Sequence, residues 1–353
     1  MSVLAGGVFA ADTDDELSEL RGLVDDIGAR SAAARIGRRR LPELFDETAW
    51  RNLEETGLSR LTTDTELDAG PRESAVLLRG LARHAVSVPL AETDLLAGWL
   101  AGVAGLEVPT SGPLTLAQAD AGGGAAEVPW SRDAVAIVVA VRDGDRLLTG
   151  VVNPASVTVT PGHNLGGEPR DDIDFDLSAN DFRELDLRYG DELDRRGAWA
   201  RCVQCIGALD AAAELAVAHT RDRVQFGRPL SKFQAVQHAL AGMAGEIERA
   251  RAATELAVAA AADYGFDSAQ TDYAVTLAKV ALGQVVPAVS MVAHQLHGAI
   301  GVTIEHPLWS ATNRAHSWIT EFGSTGAHAR KLGWIALSHN GADLWDVLTT
   351  GQS

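Results

Sequence analysis

Hydrophobic positions fall at helical spacing at both ends of the chain and at strand spacing in the middle. Leu41, Phe45, Trp50 and Leu53 mark one face of an amphipathic helix that Thr56-Gly57 closes. Ala85–Gly105 opens on a Pro-broken stretch and continues as an apolar helix. The middle changes character. Short β-branched runs, Ala134–Val141, Arg146–Val152 and Ser156–Val159, alternate with Gly and Pro. Asp143-Gly144 between the first two predicts a hairpin. Gly122–Gly124 and Gly162–Asp174 read as irregular. Helical spacing then returns. Arg201–Arg221 is Ala-rich, and Phe226-Gly227-Arg228-Pro229 breaks it. Phe233–Ala262 buries Val236, Leu240, Met243, Ile247 and Ala250 along one stripe. Tyr273–Leu296 is apolar nearly all round, as expected of a central bundle helix, and Gly298–Gly301 ends it. Two shorter helices, at 307–320 and 325–339, follow.

This pattern predicts a mainly α protein with a small β middle domain. A helical N-terminal domain spans 1–107, a β-barrel-like domain 108–190, and a C-terminal four-helix bundle 191–353. Length alone would suggest two domains for 353 residues; the pattern divides them into three.

Charge narrows the partners. The net charge is −18, and no Lys/Arg cluster of the kind a phosphate backbone requires is present, so nucleic acid and an anionic membrane are not expected. The triplet Arg38-Arg39-Arg40 reads as a solvated helix end. The longest clean apolar run, Ala134–Val141, is too short to span a bilayer. Two cysteines and no basic-apolar leader predict a cytoplasmic protein. Cys202 and Cys205 form a C-x-x-C inside a helix rather than at its start, which predicts two buried core thiols. The ten histidines are scattered and assemble no metal site; His163, His306 and His316 read as surface or packing residues. Trp309, Trp318 and Trp334 read as packing residues.

Two segments carry candidate chemistry. Arg221–Leu230 puts an arginine and an aromatic at a helix-ending glycine, a corner that can present a cation and a ring to a planar anionic ligand. An ordinary helical corner explains the same residues. Gln295–Thr303 carries Gly298 and Gly301, which admit close backbone approach; a plain helix cap explains Gly298 equally well.

Together these segments resemble the flavin-dependent acyl-CoA dehydrogenase family. Arg223, Phe226-Gly227 and Phe233-Gln234 match its R-x-x-F-G corner and Phe-Gln pair. Gln295 to Gly301 match its Q-x-x-G-G-x-G loop, and Glu305-His306-Pro307 its Glu-x-Pro step. Glu321-Phe322-Gly323-Ser324-Thr325 stands where the family has E-G-T. The match covers 195–340, and Trp50–Leu58 is similar to the family's helical N-terminal domain.

The resemblance implies oxidation of the Cα–Cβ bond of an acyl-CoA thioester with hydride transfer to FAD, and an electron-transfer flavoprotein as acceptor. It also implies tetrameric assembly, in which the corner and the Gln loop reach the adenine and pyrophosphate of a flavin held mainly by a neighbouring subunit. Arg223, Gln225, Phe226, Gln234, Gln295, His297, Gly298 and Ala299, with Gly323 and Thr325 of the terminal loop, then contact the cofactor. Glu321 is the candidate base for the α-proton.

Departures from the family pattern bear on that assignment. The flavin-wrapping T-E-P-x-x-G-S-D loop corresponds to Ala117–Gly124, which keeps only glycines, and the W-I-T strand is absent. Gapless alignment puts Phe322, not Glu321, at the base position. The alternative base position on the preceding helix is Gly197. Three readings stay open. The chain is one subunit of a heteromeric enzyme whose paralogous partner supplies the base, or a self-sufficient homotetramer using Glu321, or a non-catalytic structural relative. Heteromeric relatives with this loop loss often take bulky ring-bearing or steroid-derived thioesters. The acidic balance is awkward beside polyanionic CoA and flavin, which puts weight on placed cations such as Arg223 or on a partner chain.

Overall fold

The computed structural model describes residues 17–35, 40–179 and 181–338; Arg38 and Arg39 of the basic triplet lie outside them. Four helices come first: α1 (Ser18–Ala34), α2 (Glu47–Glu55), α3 (Pro71–Arg83) and α4 (Trp99–Ala104), the last continuing a π-helix over Glu92–Gly98. Their ends follow local chemistry. Asp46 caps α2 by accepting from the Ala49 amide at 2.9 Å, and Gly57 leaves the helix at φ 75°. The π-turn is anchored by Asp94, whose carboxylate accepts from the amides and hydroxyls of Thr62 and Thr63 at 2.9–3.1 Å.

Seven strands follow: β1 (Leu114–Ala119), β2 (Gly124–Pro129), β3 (Ala136–Asp143), β4 (Arg146–Val152), β5 (Thr158–Thr160), β6 (Arg170–Asp174) and β7 (Phe182–Asp186). They make a four-stranded sheet, β1-β3-β4-β7, and a three-stranded sheet, β2-β6-β5. Ala117, Val128, Ile137, Val139, Val152 and Ile173 fill the space between the two. The predicted hairpin forms, with Asp143 opposite Arg146 and Gly144 at φ 62°. Gly162–Asp174 is not wholly irregular, as expected above, because β6 occupies its end. That strand reads as loop in isolation since its partners, β2 and β5, lie outside the segment.

The C-terminal part holds α5 (Arg188–Asp222), a two-residue hairpin β8 (Val224–Gln225) and β9 (Arg228–Pro229), then α6 (Gln234–Tyr264), α7 (Ala269–His297), α8 (Pro307–Trp318) and α9 (Thr325–Ser338). The helix α5 begins well before Arg201, where the Ala-rich composition started. On α6 the expected stripe holds for Met243, Ile247 and Ala250, which are buried, while Val236 and Leu240 are half-buried. The helices α5 and α7 reach the length and apolar composition of a bilayer span, longer than any unbroken apolar run in the sequence. Their most apolar windows are 61% and 56% buried against the rest of the chain.

Cys202 and Cys205 are fully buried, and burial pushes the Cys202 thiol up to about 12, which removes it from thiolate chemistry. Trp318 is buried with its Nε1 donating to Glu168 at 2.8 Å. Trp334 corrects the packing expectation: it is 72% exposed, on α9, a helix none of whose residues is buried.

Candidate functional site

A cleft of about 510 Å³ opens between the π-helix, α5, the edge of the β sheets and the chain after α8. Glu321 lines it together with Arg170 and Arg201. Arg170 donates to one oxygen of Glu321 from Nη2 at 2.9 Å and from Nε at 3.1 Å. Arg201 donates to the other oxygen from Nε at 2.6 Å. Arg201 is 1% exposed and also donates to Glu92 at 2.6 Å and to Gln204 at 2.7 Å. Burial opposes ionisation of Glu321, but the two guanidinium groups outweigh it and hold the carboxyl below its usual range. A carboxylate tied in this way is a weak proton acceptor.

The terminal loop is fixed from beneath. The buried Lys279 of α7 donates to the carbonyls of Ile319 at 2.7 Å and Glu321 at 2.6 Å. The backbone then passes through φ 53° at Phe322 and 101° at Gly323. This turn lays the Phe322 ring on Gly197, where any β-carbon would overlap it. The two positions at which a base was sought thus pack against each other, an aromatic ring on a glycine. Thr325 is seated on Gly283 in the same manner.

The glycine loop that replaces the flavin-wrapping segment closes on itself. The Asp120 carboxylate accepts from the Gly122 amide at 2.7 Å and the Gly124 amide at 3.1 Å. Gly123 backs against the Phe175 carbonyl. Amides that could face a ligand are therefore taken by the chain's own side chain, and this loop does not fit a flavin ring.

A second group of residues gathers at the far end of the bundle, where α5 and α7 both terminate. Arg223 follows α5, and its amide donates to the His219 carbonyl at 2.9 Å. His297 ends α7 and stacks on His219, with ring centroids 4.6 Å apart. Gly298 leaves that helix at φ 67°. The hairpin β8–β9 carries Phe226 outward, 90% exposed, at φ 51°. Phe233 lies edge-on to it at 6.2 Å, and the Arg228 guanidinium sits 4.2 Å from the Phe233 ring. Arg223, Gln225, Gln234, Gln295, Gly298 and Ala299 are exposed here. The structure brings these eight candidate contacts to one end. Gly323 and Thr325 stand apart, beside the middle of α7. The exposed arginine, rings and loop backbone of this end fit the anionic and planar parts of a dinucleotide supplied from outside the chain.

Arg170, Arg201, Glu92 and Lys279 escaped the sequence reading. A signal existed for two of them: Arg201 and Lys279 are single charges inside otherwise apolar helical runs, and such a charge needs a buried partner.

Known proteins resemble this chain in sequence and in fold. The family described as acyl-CoA dehydrogenase, C-terminal domain, matches residues 195–332. The chain is 27% identical over 299 residues to acyl-CoA dehydrogenase IpdE2 of Mycolicibacterium smegmatis, covering 82% of this chain and 88% of that one. It superposes on a chain of the ChsE4-ChsE5 complex from Mycobacterium tuberculosis with a TM-score of 0.79 at 19% identity, over 94% of this chain and 99% of the other. A chain of the Tcur3481-Tcur3483 steroid ACAD gives 0.78 at 25% identity, over 92% and 98%.

Proposed function

We propose, from the chain's membership of the acyl-CoA dehydrogenase family, whose cofactor is FAD, that it is one subunit of a heteromeric acyl-CoA dehydrogenase. In this reading a paralogous partner holds the ring side of the flavin and supplies the base. This chain completes the dinucleotide end with Arg223, Gln225, Phe226, Gln234, Gln295, His297, Gly298 and Ala299. When bound, FAD accepts the hydride that leaves the acyl Cβ as the α-proton is removed. The chain's own part is positional. Arg223 meets the diphosphate charge, Phe226 offers a ring face, and the exposed loop backbone offers amides.

The observation that carries the reading is the asymmetry between the two ends. In the chain's own glycine loop the amides are taken by Asp120, and at the cleft Phe322 fills the space over Gly197. At the far end the matching residues stand exposed, except His297, which is buried beneath them. That solved relatives are named as pairs, ChsE4-ChsE5 and Tcur3481-Tcur3483, adds support. The second of these is called a steroid ACAD, which favours a bulky, ring-bearing acyl-CoA thioester as substrate. An electron-transfer flavoprotein is the acceptor this reaction calls for, and the cytoplasm is the location the reading assigns. The self-sufficient homotetramer rests on one observation, that Glu321 does line the cleft and keeps 20% of its side-chain surface.

Flavin content decides between them. The chain is purified alone and after co-expression with an acyl-CoA dehydrogenase paralogue from the same genome, and flavin absorbance is read per chain. Little flavin in the lone chain and a yellow complex are expected. One flavin per chain in the lone protein would overturn the heteromeric reading.

A further inference from the structure

Three histidines meet where α5 and α7 end. The rings of His219 and His297 stack at 4.6 Å with an interplanar angle of 27°. His306 closes on His297 edge-on at 4.9 Å. His297 is 6% exposed. Its Nδ1 lies 2.8 Å from the Ala293 carbonyl, which can only accept, so Nδ1 carries the proton in the neutral ring. That leaves Nε2 as a buried lone pair without a hydrogen-bond partner among the described residues. An orphaned polar atom of this kind is costly unless a further state uses it.

The electrostatics of this end are mixed. The helices α5 and α7 present their C-termini here, which carry partial negative charge, while α8 presents its N-terminus at His306, whose Nδ1 accepts from the Leu308 amide at 3.2 Å. The chain as a whole is at −18. Asp222 at the end of α5, Arg223 just after it and His297 on α7 act on His219, His297 acts on His294 of the same helix, and Glu305 precedes His306 in the chain. Arg221 and Arg223 are the fixed cations closest in sequence to His219, and Asp222 stands between them. Burial first, then His297 and Arg223, hold His219 below the ordinary imidazole range, so that ring is neutral near pH 7. The helix C-termini favour a cation at the same place.

We infer that His219, His297 and His306 form a proton-linked charge site beneath the Gly298–Val302 turn, which takes up one proton from solvent when the diphosphate of a dinucleotide docks on Arg223 and that turn. The inference rests on the reading of this end as the far half of a flavin site. One N–H bond forms and no other bond changes. The buried ring need not touch the phosphate, because its charge offsets the helix ends across a few ångströms of low-dielectric protein. A bound anion raises the proton affinity of nearby imidazoles. By linkage, binding must then strengthen as pH falls.

The test titrates FAD into the flavin-stripped complex of full-length chains between about pH 6 and pH 8, where the diphosphate of FAD keeps its charge. Fluorescence quenching gives affinity, and calorimetry in two buffers of different ionisation enthalpy gives proton uptake. Binding about fivefold or more weaker at the high end, with net proton uptake, is expected from this linkage. His297→Gln should flatten the pH profile. His219→Asn, at the half-buried outer ring, should do the same and serves if the first variant fails to fold. Arg223→Ala should weaken binding at every pH and leave the slope in place. Affinity independent of pH with no proton uptake, or an unchanged slope in the histidine variants, overturns the inference and leaves the flavin site standing. Absence of FAD binding at every pH overturns both.

Discussion

Glu321 shows how neighbours decide what a carboxylate does. Its two oxygens are held at 2.6–3.1 Å by Arg170 and Arg201, so its charge is spent on structure. Glu321→Gln keeps the shape and removes the charge. Hydrogen bonds to charged groups contribute about 1.5–3 kcal/mol each way, so a loss of that order in unfolding free energy is expected. The pH dependence has a definite sign. Because the folded-state affinity of Glu321 for a proton is depressed, its contribution is full above the unfolded carboxyl value of about 4.3 and is lost as pH falls through the folded value. The stability gap between wild type and variant, read by urea unfolding, should therefore be constant near neutrality and close at acid pH. Turnover per flavin in the complex should stay nearly unchanged. A large fall in kcat with flavin retained would return Glu321 to the role of base.

Between elements, the contact to test is the one joining α5 to the terminal loop. Gly197 and Arg201 lie one helical turn apart on α5 and grip successive residues of the loop, Phe322 and Glu321. Lys279 of α7 holds the same loop by its carbonyls. Gly197→Ala would force the Phe322 ring aside, an overpacking that costs about 1–3 kcal/mol. Phe322→Ala alone should also destabilise, by emptying the space. The double variant should lose less than the sum of the two, since the methyl then occupies room the ring vacated. Strict additivity in chemical unfolding would show that the ring and the glycine do not share that space in solution.

On the scale of the molecule, the uncovered apolar surface is what an assembly must explain. The helix α7 is apolar nearly all round, yet Met291 is 66% exposed, in a row with the exposed Gln284, Pro287 and Gln295. Phe226 and Val302, 90% and 61% exposed, continue the apolar surface at the end of the bundle. Met291→Lys should leave the fold and melting temperature of the chain intact, because the side chain touches little of its own chain. It should shift the assembled protein to smaller species in sedimentation. An unchanged assembly size would place the subunit contact elsewhere.

The helical and strand zones, the Asp143–Arg146 hairpin and the helix ends at Gly57 and Gly298 could be read from residue order. Each depends on periodicity or on backbone freedom within a few residues. The spaced Arg223, Phe226-Gly227, Gln295 and Gly298 motifs were legible for the same reason. β6 and the wall of the cleft were not. Arg170 and Arg201 reach Glu321 across 151 and 120 residues, and no local pattern encodes which distant charge a buried arginine meets. The sequence alone showed that gapless alignment puts no carboxylate at either family base position, Phe322 or Gly197. Only the tertiary structure decided what those residues meet: a ring lying on Gly197, a carboxylate locked between two arginines, and histidines from separate helices stacked beneath a loop. Those outcomes depend on packing and on the pairing of buried charges, which exist only once distant segments have met.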